Sequence, residues 1–318
     1  MSSKIRCAVI GVGYLGQYHA EKYHKLEHAT LVAVVDPDQE RAEEIAHKYD
    51  CLALTNYHDL LGKVDAVSVV TPTQLHYSIV KDLLSYGVHV LVEKPITTTV
   101  EQADELINLA AEKNLLLQVG HLERFNPAVL ALEGLIHRPL FIESQRIAPF
   151  TPRGADVNVV LDLMIHDIDL IYSMVRSPIA NISANGIPVL TKEIDICNAR
   201  LEFENGTVAN ITASRAGLKT ERKMRIFSDD AYVSMNLHDR KFSIYRKGTG
   251  VMFPGIPNIK VKKHKFPKGD ALLAEIEAFL NSIIHKQPAI VSGEDGKQAL
   301  KIAHTITEIT TKQLEQFL

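Results

Sequence analysis

Short apolar runs alternate with amphipathic stretches over the first third of the chain. Ile5–Ile10, Leu31–Val35, Ala66–Val70, Val88–Val92 and Leu115–Val119 are near-continuous aliphatic runs of strand length. Between them, apolar positions recur at helical spacing: from a glycine turn to about Lys25, then over Gln39–Tyr49, Leu75–Tyr86 and Val100–Lys113. Continuous apolar strands separated by helices belong to a parallel sheet, because each crossover helix packs back and covers a face. The pattern predicts an α/β N-terminal domain, a doubly wound parallel sheet of Rossmann type, over residues 1–121.

Beyond it the texture changes. Phe125–Ile136 and Val159–Met174 read as helices. From Ile182 to Tyr245 the chain reads as consecutive strands. Leu201–Phe203, Val208–Ala213, Met224–Phe227 and Phe242–Tyr245 alternate apolar with polar residues, with turn signals at Glu204-Asn205-Gly206 and Lys247-Gly248. Asp270–His285 and a stretch beginning near Glu294 close the chain as helices. Residues 122–318 are therefore expected to form an α+β C-terminal domain with an open-faced antiparallel sheet. Alternating apolar residues on a free face predict an assembly larger than a monomer, a homodimer or homotetramer.

Composition narrows the partners. With 318 residues, 46% hydrophobic and 23% charged, the chain is of ordinary globular composition and long enough for two domains. A net charge of −3 gives no reason to expect nucleic acid or a membrane surface as partner. Charge is uneven, however: residues 215–270 hold fourteen Lys and Arg against five acids. That stretch reads as a solvated sheet face or as a surface attracting an anion. Cys7, Cys51 and Cys197 lie far apart, without metal-site or disulfide-framework spacing, and are expected to be reduced thiols. The first residues lead directly into a strand pattern rather than a signal peptide. No apolar run is long enough to span a bilayer. The expected location is the cytoplasm, with no metal site.

Gly11-Val12-Gly13-Tyr14-Leu15-Gly16 is a G-x-G-x-x-G sequence. It follows an apolar strand, opens a helix, and precedes Asp36 by twenty residues counted from Gly16. That context is the dinucleotide fingerprint. Gly11 permits the tight turn, Gly13 the approach of a pyrophosphate, and Gly16 the packing of helix on strand. The pyrophosphate is met by the N–H groups of the helix N-terminus. Asp36 can accept both hydroxyls of the adenosine ribose and would repel a 2′-phosphate, so the expected cofactor is NAD rather than NADP.

Two further segments carry chemistry. Glu93-Lys94-Pro95 ends a strand, where open α/β sheets bind their ligands, although a lysine before a turn proline can also be structural. Asp162, His166 and Asp169 share one face of a helix, with Leu161, Ile165 and Ile168 on the buried side. A carboxylate one turn from an imidazole serves as a general-base pair, a surface ion pair or part of a metal site.

Together these residues resemble the Gfo/Idh/MocA oxidoreductase family. The matching pieces are 11–16, Asp36, Thr71-Pro72-Thr73 with His76, Glu93-Lys94-Pro95, and Asp162 to Asp169. The resemblance implies NAD binding by Gly11 to Gly16, Asp36, Thr71, Pro72, Thr73, His76, Glu93 and Lys94. It implies catalysis by Lys94 and His166, with Asp162 in support, and often an oligomer built on the free sheet face. Asp156-Val157-Asn158 and Met164 stand where many members carry glycines. Residues 120–127 and 146–169 look most like the nucleotide-sugar 3-dehydrogenases of that family. This implies oxidation of a nucleotide-sugar alcohol, first among them the C3 hydroxyl of UDP-N-acetylglucosamine, to a keto sugar that feeds amino-sugar and lipid A synthesis. Lys94, Arg124, Asn126, Arg146, Arg153, Asp162 and His166 are the expected substrate contacts. Arg146 and Arg153 could meet a diphosphate or form surface ion pairs. A dehydrogenase of free polyols, inositols or diols, or a non-catalytic NAD-binding regulator, are the alternatives.

Overall fold

Six parallel strands and their crossover helices build the first part of the chain. They run β1 (Ile5–Ile10), α1 (Gly16–Lys25), β2 (Ala29–Val35), α2 (Gln39–Tyr49), β3 (Leu52–Leu54), β4 (Ala66–Val69), α3 (Thr73–Ser85), β5 (His89–Glu93), α4 (Val100–Lys113) and β6 (Leu117–Gly120). The computed structural model describes residues 4–317 apart from 153, 155, 156 and 255. Strand order is β3-β2-β1-β4-β5-β6. The order reverses between β1 and β4, and the crevice at their carboxyl ends is where such sheets bind ligands. Every residue of β4 and β6 is buried, as two covered faces require.

The second part begins with α5 (Pro127–Leu130) and β7 (Pro139–Ile147). A π-helical turn, Val160–Met164, then leads into α6 (Ile165–Val175). The strands β8 (Ile179–Ile187), β9 (Ile196–Phe203), β10 (Val208–Ser214), β11 (Glu221–Ser228), β12 (Ala231–Asn236), β13 (Lys241–Phe253) and β14 (Ile256–Lys265) follow, before α7 (Ala271–His285) and α8 (Gly293–Phe317). The eight strands form one sheet in the order β14-β13-β12-β11-β7-β10-β9-β8. It is mixed rather than wholly antiparallel, because β7 lies parallel to β10 in the centre. Ile142, Ile211, Met224, Val233 and Ile244 point from one face into a core closed by Ile165 and Ile168 of α6 and Ile302 and Ile306 of α8.

Alternation leaves the other face to polar and aromatic residues. Phe141, Phe227, Tyr232 and Tyr245 form a ladder across four strands, with ring centroids 5.7, 4.8 and 5.2 Å apart. The cationic stretch noted in the sequence lies beside it. Lys223, Arg225, Lys241, Lys263 and Lys265 surround Ser234, Asn236 and Ser243 at a shallow cavity of about 490 Å³. Three of these cations already pair with acids: Lys223 with Glu221, Arg225 with Glu143 and Lys241 with Asp239.

The chain divides into two units, Met1–Phe125 with Asp270–Gln298, and Asn126–Gly269 with Ala299–Leu318. A single cut at 121/122 was expected, but α7 returns to the first unit. There Ile276, Phe279 and Leu280 join the core of Val9, Tyr23 and Leu91. Helical periodicity marks a buried face without saying which core receives it. Local differences are of the same kind. Phe125–Ile136 is not one helix but a 3-10 turn (Leu122–Phe125) followed by the single turn of α5. Pro139–Ile147 and Ile256–Lys265, which carried no clear alternating signal, are strands.

Candidate active site

The loops at the ends of β1, β4 and β5 belong to the first unit. Gly11 turns with φ +84°, and a Cβ there would stand 2.5 Å from the Val70 carbonyl oxygen. A Cβ on Gly16 would stand 1.8 Å from the Gly11 carbonyl oxygen. Both positions must be glycine for the loop to close on β4. Gly13 differs: a Cβ there would meet nothing within 4 Å, so the space above it is open to a ligand. Helix α1 starts at Leu15 without a side-chain cap and has no acid in its first turn, which leaves its N–H groups to meet an anion. Asp36 is held against the loop. Its Oδ2 accepts from the Val12 N–H at 2.9 Å and its Oδ1 from the Asp38 N–H at 3.1 Å, leaving other lone pairs for a ribose diol. Thr71 Oγ1 is buried with no hydrogen-bond partner of its own. Tight packing at Gly11 and Gly16, open space at Gly13, a bare helix terminus and an orphaned hydroxyl fit a dinucleotide.

Two expected cofactor contacts lie underneath these loops. His76 is 1% exposed, with Nδ1 2.9 Å from the Pro95 carbonyl and Nε2 2.8 Å from the Thr71 carbonyl. Burial lowers its pKa against the pull of these carbonyls. The ring therefore ties the start of α3 to the Lys94-Pro95 turn and presents no nitrogen to a ligand. Glu93 Oε1 takes His19 Nε2 at 3.2 Å, and its Oε2 accepts from the Lys94 N–H at 3.3 Å. Burial would raise the Glu93 carboxyl, but the His19 hydrogen bond and the charges of His19 and Lys94 outweigh it and hold it below its ordinary value. Glu93 thus anchors the strand end that carries Lys94. Gly120 allows this closeness, since a Cβ there would stand 3.1 Å from Glu93 Oε2.

Asp162 and His166 belong to the second unit. Val159–Met174 was expected to be α-helical, but the first turn is π-helical, from Val160 to Met164, and α6 starts at Ile165. Asp162 and His166 are half-buried on either side of that handover, while Asp169 is buried. The preceding loop lies over Asp162: a Cβ on Gly154, where φ is +77°, would stand 3.6 Å from Asp162 Oδ2. Arg215 holds that loop. It is 4% exposed, donates to the Gly154 carbonyl at 2.6 Å and to the Val157 carbonyl, and pairs with Asp195 at 3.3 Å. Asp195 also receives the N–H groups of Val189, Leu190 and Thr191 at 2.7, 2.6 and 2.8 Å. Burial would raise its carboxyl, but these donors bring it down to about 2.

Three expected substrate contacts have other partners. Arg146 is 3% exposed and clamps Asp167 of α6 with two hydrogen bonds, at 2.8 and 3.1 Å. This clamp fixes the helix from the covered face of the central strand β7. Asn126 caps α5 through Ala128 N–H and donates Nδ2 to the Leu237 carbonyl at 3.0 Å, which uses both ends of the amide. Arg124 lies 3.6 Å from Asp295. Arg153 and Asp156 lie outside the described residues. Sequence reasoning missed His19, Arg215 with Asp195, and Arg41. Arg41 sits in the first turn of α2, where its Nε donates to the Val12 carbonyl at 2.9 Å, beside Asp36.

Comparison with known proteins places this geometry. Residues 5–121 match the model of an oxidoreductase family with an NAD-binding Rossmann fold, and residues 133–234 match the GFO/IDH/MocA C-terminal domain. The chain is 41% identical over 300 residues to UDP-N-acetylglucosamine 3-dehydrogenase of Acidithiobacillus ferrooxidans, covering 94% of this chain and 95% of that one. A solved structure of the enzyme of that name from that organism is similar at a TM-score of 0.91 and 40% identity, covering 96% and 97% of the two chains. Scyllo-inositol 2-dehydrogenase (NAD(+)) of Bacillus subtilis is 26% identical over 332 residues, covering 96% and 94%. With both domains matched in order around a glycine loop built for a dinucleotide, the chain belongs to the Gfo/Idh/MocA family of NAD-binding oxidoreductases.

Proposed function

We propose that this oxidoreductase removes hydrogen from a secondary alcohol of a nucleotide sugar, the C3 hydroxyl of UDP-N-acetylglucosamine, and yields the 3-keto sugar. The observation that carries this reading is the 41% identity, along nearly the whole chain, to an enzyme of that name. NAD, when bound, would supply the hydride acceptor. The chain's own residues handle the proton. An imidazole titrates near 6.5 in water and a lysine near 10.4, so His166 needs almost no tuning to act as base at neutral pH, whereas Lys94 would need a large shift. We assign the base to His166, oriented by Asp162. Lys94 donates to the reacting oxygen and stabilises the negative charge that develops there. Arg146, committed to Asp167, holds the helix that carries His166. Gly11 to Gly16, Asp36 and Thr71 to Thr73 bind the dinucleotide.

The same reading covers assembly and place. The aromatic ladder on the free sheet face suits contact with a second copy, in a homodimer or homotetramer. Cys7, Cys51 and Cys197 are free thiols, as suits a reducing cytoplasm. The keto product suits an aminotransferase on the way to a diamino sugar of lipid A.

The test is isotope exchange. The protein is incubated with UDP-N-acetylglucosamine and NAD in heavy-oxygen water, and the sugar nucleotide is weighed by mass spectrometry. A transient ketone hydrates, exchanges its oxygen and returns as a heavier alcohol, even if little product accumulates. Label in the sugar is the expected result. Label only in free inositols or polyols, run in parallel, would transfer the activity to the substrates named in the more distant relatives. No label anywhere would leave a cofactor-binding regulator.

A further inference from the structure

One buried acid has no part in the reaction described above. Glu275, on α7, is completely buried, and neither carboxyl oxygen has a hydrogen-bond partner. An isolated carboxylate in such an interior is not tolerated without a paired cation or donors. Helix α7 packs on α1, on β5 and on the 3-10 turn at Leu122–Phe125. The titratable groups of those elements are Tyr18, His19, Glu21, Lys22, Tyr23, His24 and Lys25 of α1, His89 and Glu93 of β5, and Glu123 and Arg124 of the turn, with Lys94 and His121 adjoining. Lys22 is taken by Glu21 and Asp270, and Arg124 faces Asp295. The acid whose charge Glu275 feels is Glu93.

Two carboxyl groups in one buried cluster cannot both ionise cheaply, and donors decide which one does. Glu93 has them, from His19 and from the Lys94 N–H. Glu275 has none. Burial first, and the charge of Glu93 second, push the Glu275 carboxyl well above its ordinary range. Polar, uncharged groups complete the region. Tyr23, one turn along α1 from His19, bonds Ser68 at 2.8 Å. Gln118 Nε2 donates to the Glu275 backbone carbonyl at 3.2 Å, while Gln118 Oε1 is a buried acceptor still without a donor.

We propose that Glu275 holds a proton in the working enzyme, and that this proton keeps Glu93 ionised and anchored at the base of Lys94. Glu275 is then a positioning residue for the strand end that serves the reaction. The proposal rests on Lys94 acting at the reacting oxygen. Its consequence lies on the alkaline side. When Glu275 loses its proton, a second negative charge appears beside Glu93, the Glu93–His19 anchor loosens, and kcat falls.

The test has a spectroscopic and a kinetic arm. Infrared spectra of the protein with carboxyl-labelled glutamate should show a protonated acid band at neutral pH, absent in Glu275→Gln. In Glu93→Gln, which removes the neighbouring charge, the band should persist and disappear at a lower pH than in the wild type. This variant keeps the test alive should Glu275→Gln fail to fold. Glu275→Gln, permanently neutral, should keep kcat at pH 7 within about threefold, and its alkaline decline should move to higher pH. Absence of the acid band in the wild type overturns the proposal, whatever the substrate proves to be. A band that disappears in Glu275→Gln while the alkaline limb of kcat stays in place overturns the positioning role. The infrared arm needs no substrate, so a wrong sugar and a wrong proton give different results.

Discussion

The two sheets place their chemistry in different ways. The parallel sheet is covered on both faces, so its candidate groups emerge at strand ends: the glycine loop after β1, Thr71 to Thr73 after β4, and Glu93-Lys94 at the end of β5. Backbone makes most of that site. It consists of N–H groups at the start of α1, carbonyls that fix His76, and glycines that let loops touch. The eight-stranded sheet is covered on one face only, and its candidate residues ride on the covering helix. Side chains make that site, and two buried ion pairs hold it: Arg146–Asp167 beneath α6, and Arg215–Asp195 against the loop before it. Backbone-built sites tolerate side-chain changes except at glycine, whereas a helix-borne site depends on distant charged partners.

Breaking the reacting groups should give the largest effect in both units. His166→Ala and Lys94→Ala are each expected to lower kcat by about 10²–10⁴-fold with little change in thermal midpoint, as is usual for a lost acid–base or oxyanion partner. Turnover surviving His166→Ala but not Lys94→Ala would move the base to the parallel sheet. Next in size is Asp167→Ala, which strands the Arg146 charge in the interior. A loss of about 3–5 kcal/mol in urea unfolding is expected, because a buried charge is left without its partner. Replacing both residues by apolar ones of similar volume should recover most of it.

The glycine loop sharpens the contrast within one motif. Gly11→Ala should cost about 1–3 kcal/mol of stability from its positive φ alone, and more from the clash with Val70. Gly13→Ala should leave stability within about 0.5 kcal/mol, since the position is open, yet weaken NAD binding at least about tenfold by blocking the pyrophosphate. Equal losses of stability at the two positions would refute the division of roles. Asp195→Asn is expected to cost about 1–3 kcal/mol at neutral pH, as a carboxylate with several donors becomes an amide. The Asp195 carboxyl titrates at about 2, below its ordinary 3.8. Its stabilisation is therefore full above about pH 4 and lost as pH falls toward 2, so wild type and variant should converge in acid.

Much of the parallel unit could be read in advance because its signals are local. Gly11, Gly13 and Gly16 announce a turn and a bare helix start within six residues, and a fully buried strand is apolar at nearly every position. The helix bearing Asp162 and His166 was legible as a pair of polar residues one turn apart, but its π turn was not. Nothing in the spacing separates four residues per turn from a widened one. Arg146 was legible as an arginine ahead of the helix and was assigned to the substrate. Only the central position of β7 shows that it pairs with Asp167. Pro139–Ile147 hid as a strand because Ser144 and Arg146 interrupt its apolar positions.

The class of the first unit and the dinucleotide loop were legible in the sequence because each depends on residues near one another along the chain, and the family was legible from several such short motifs in order. Tertiary structure alone decided which core received α7, which arginines are consumed in ion pairs, that β7 lies parallel to β10, and that Glu275 is an acid without donors. The physical reason is the range of the interactions. Periodicity and turn chemistry act over a few residues, whereas the burial and pairing of a charge depend on partners up to 193 residues away, as with Lys297 and Asp104.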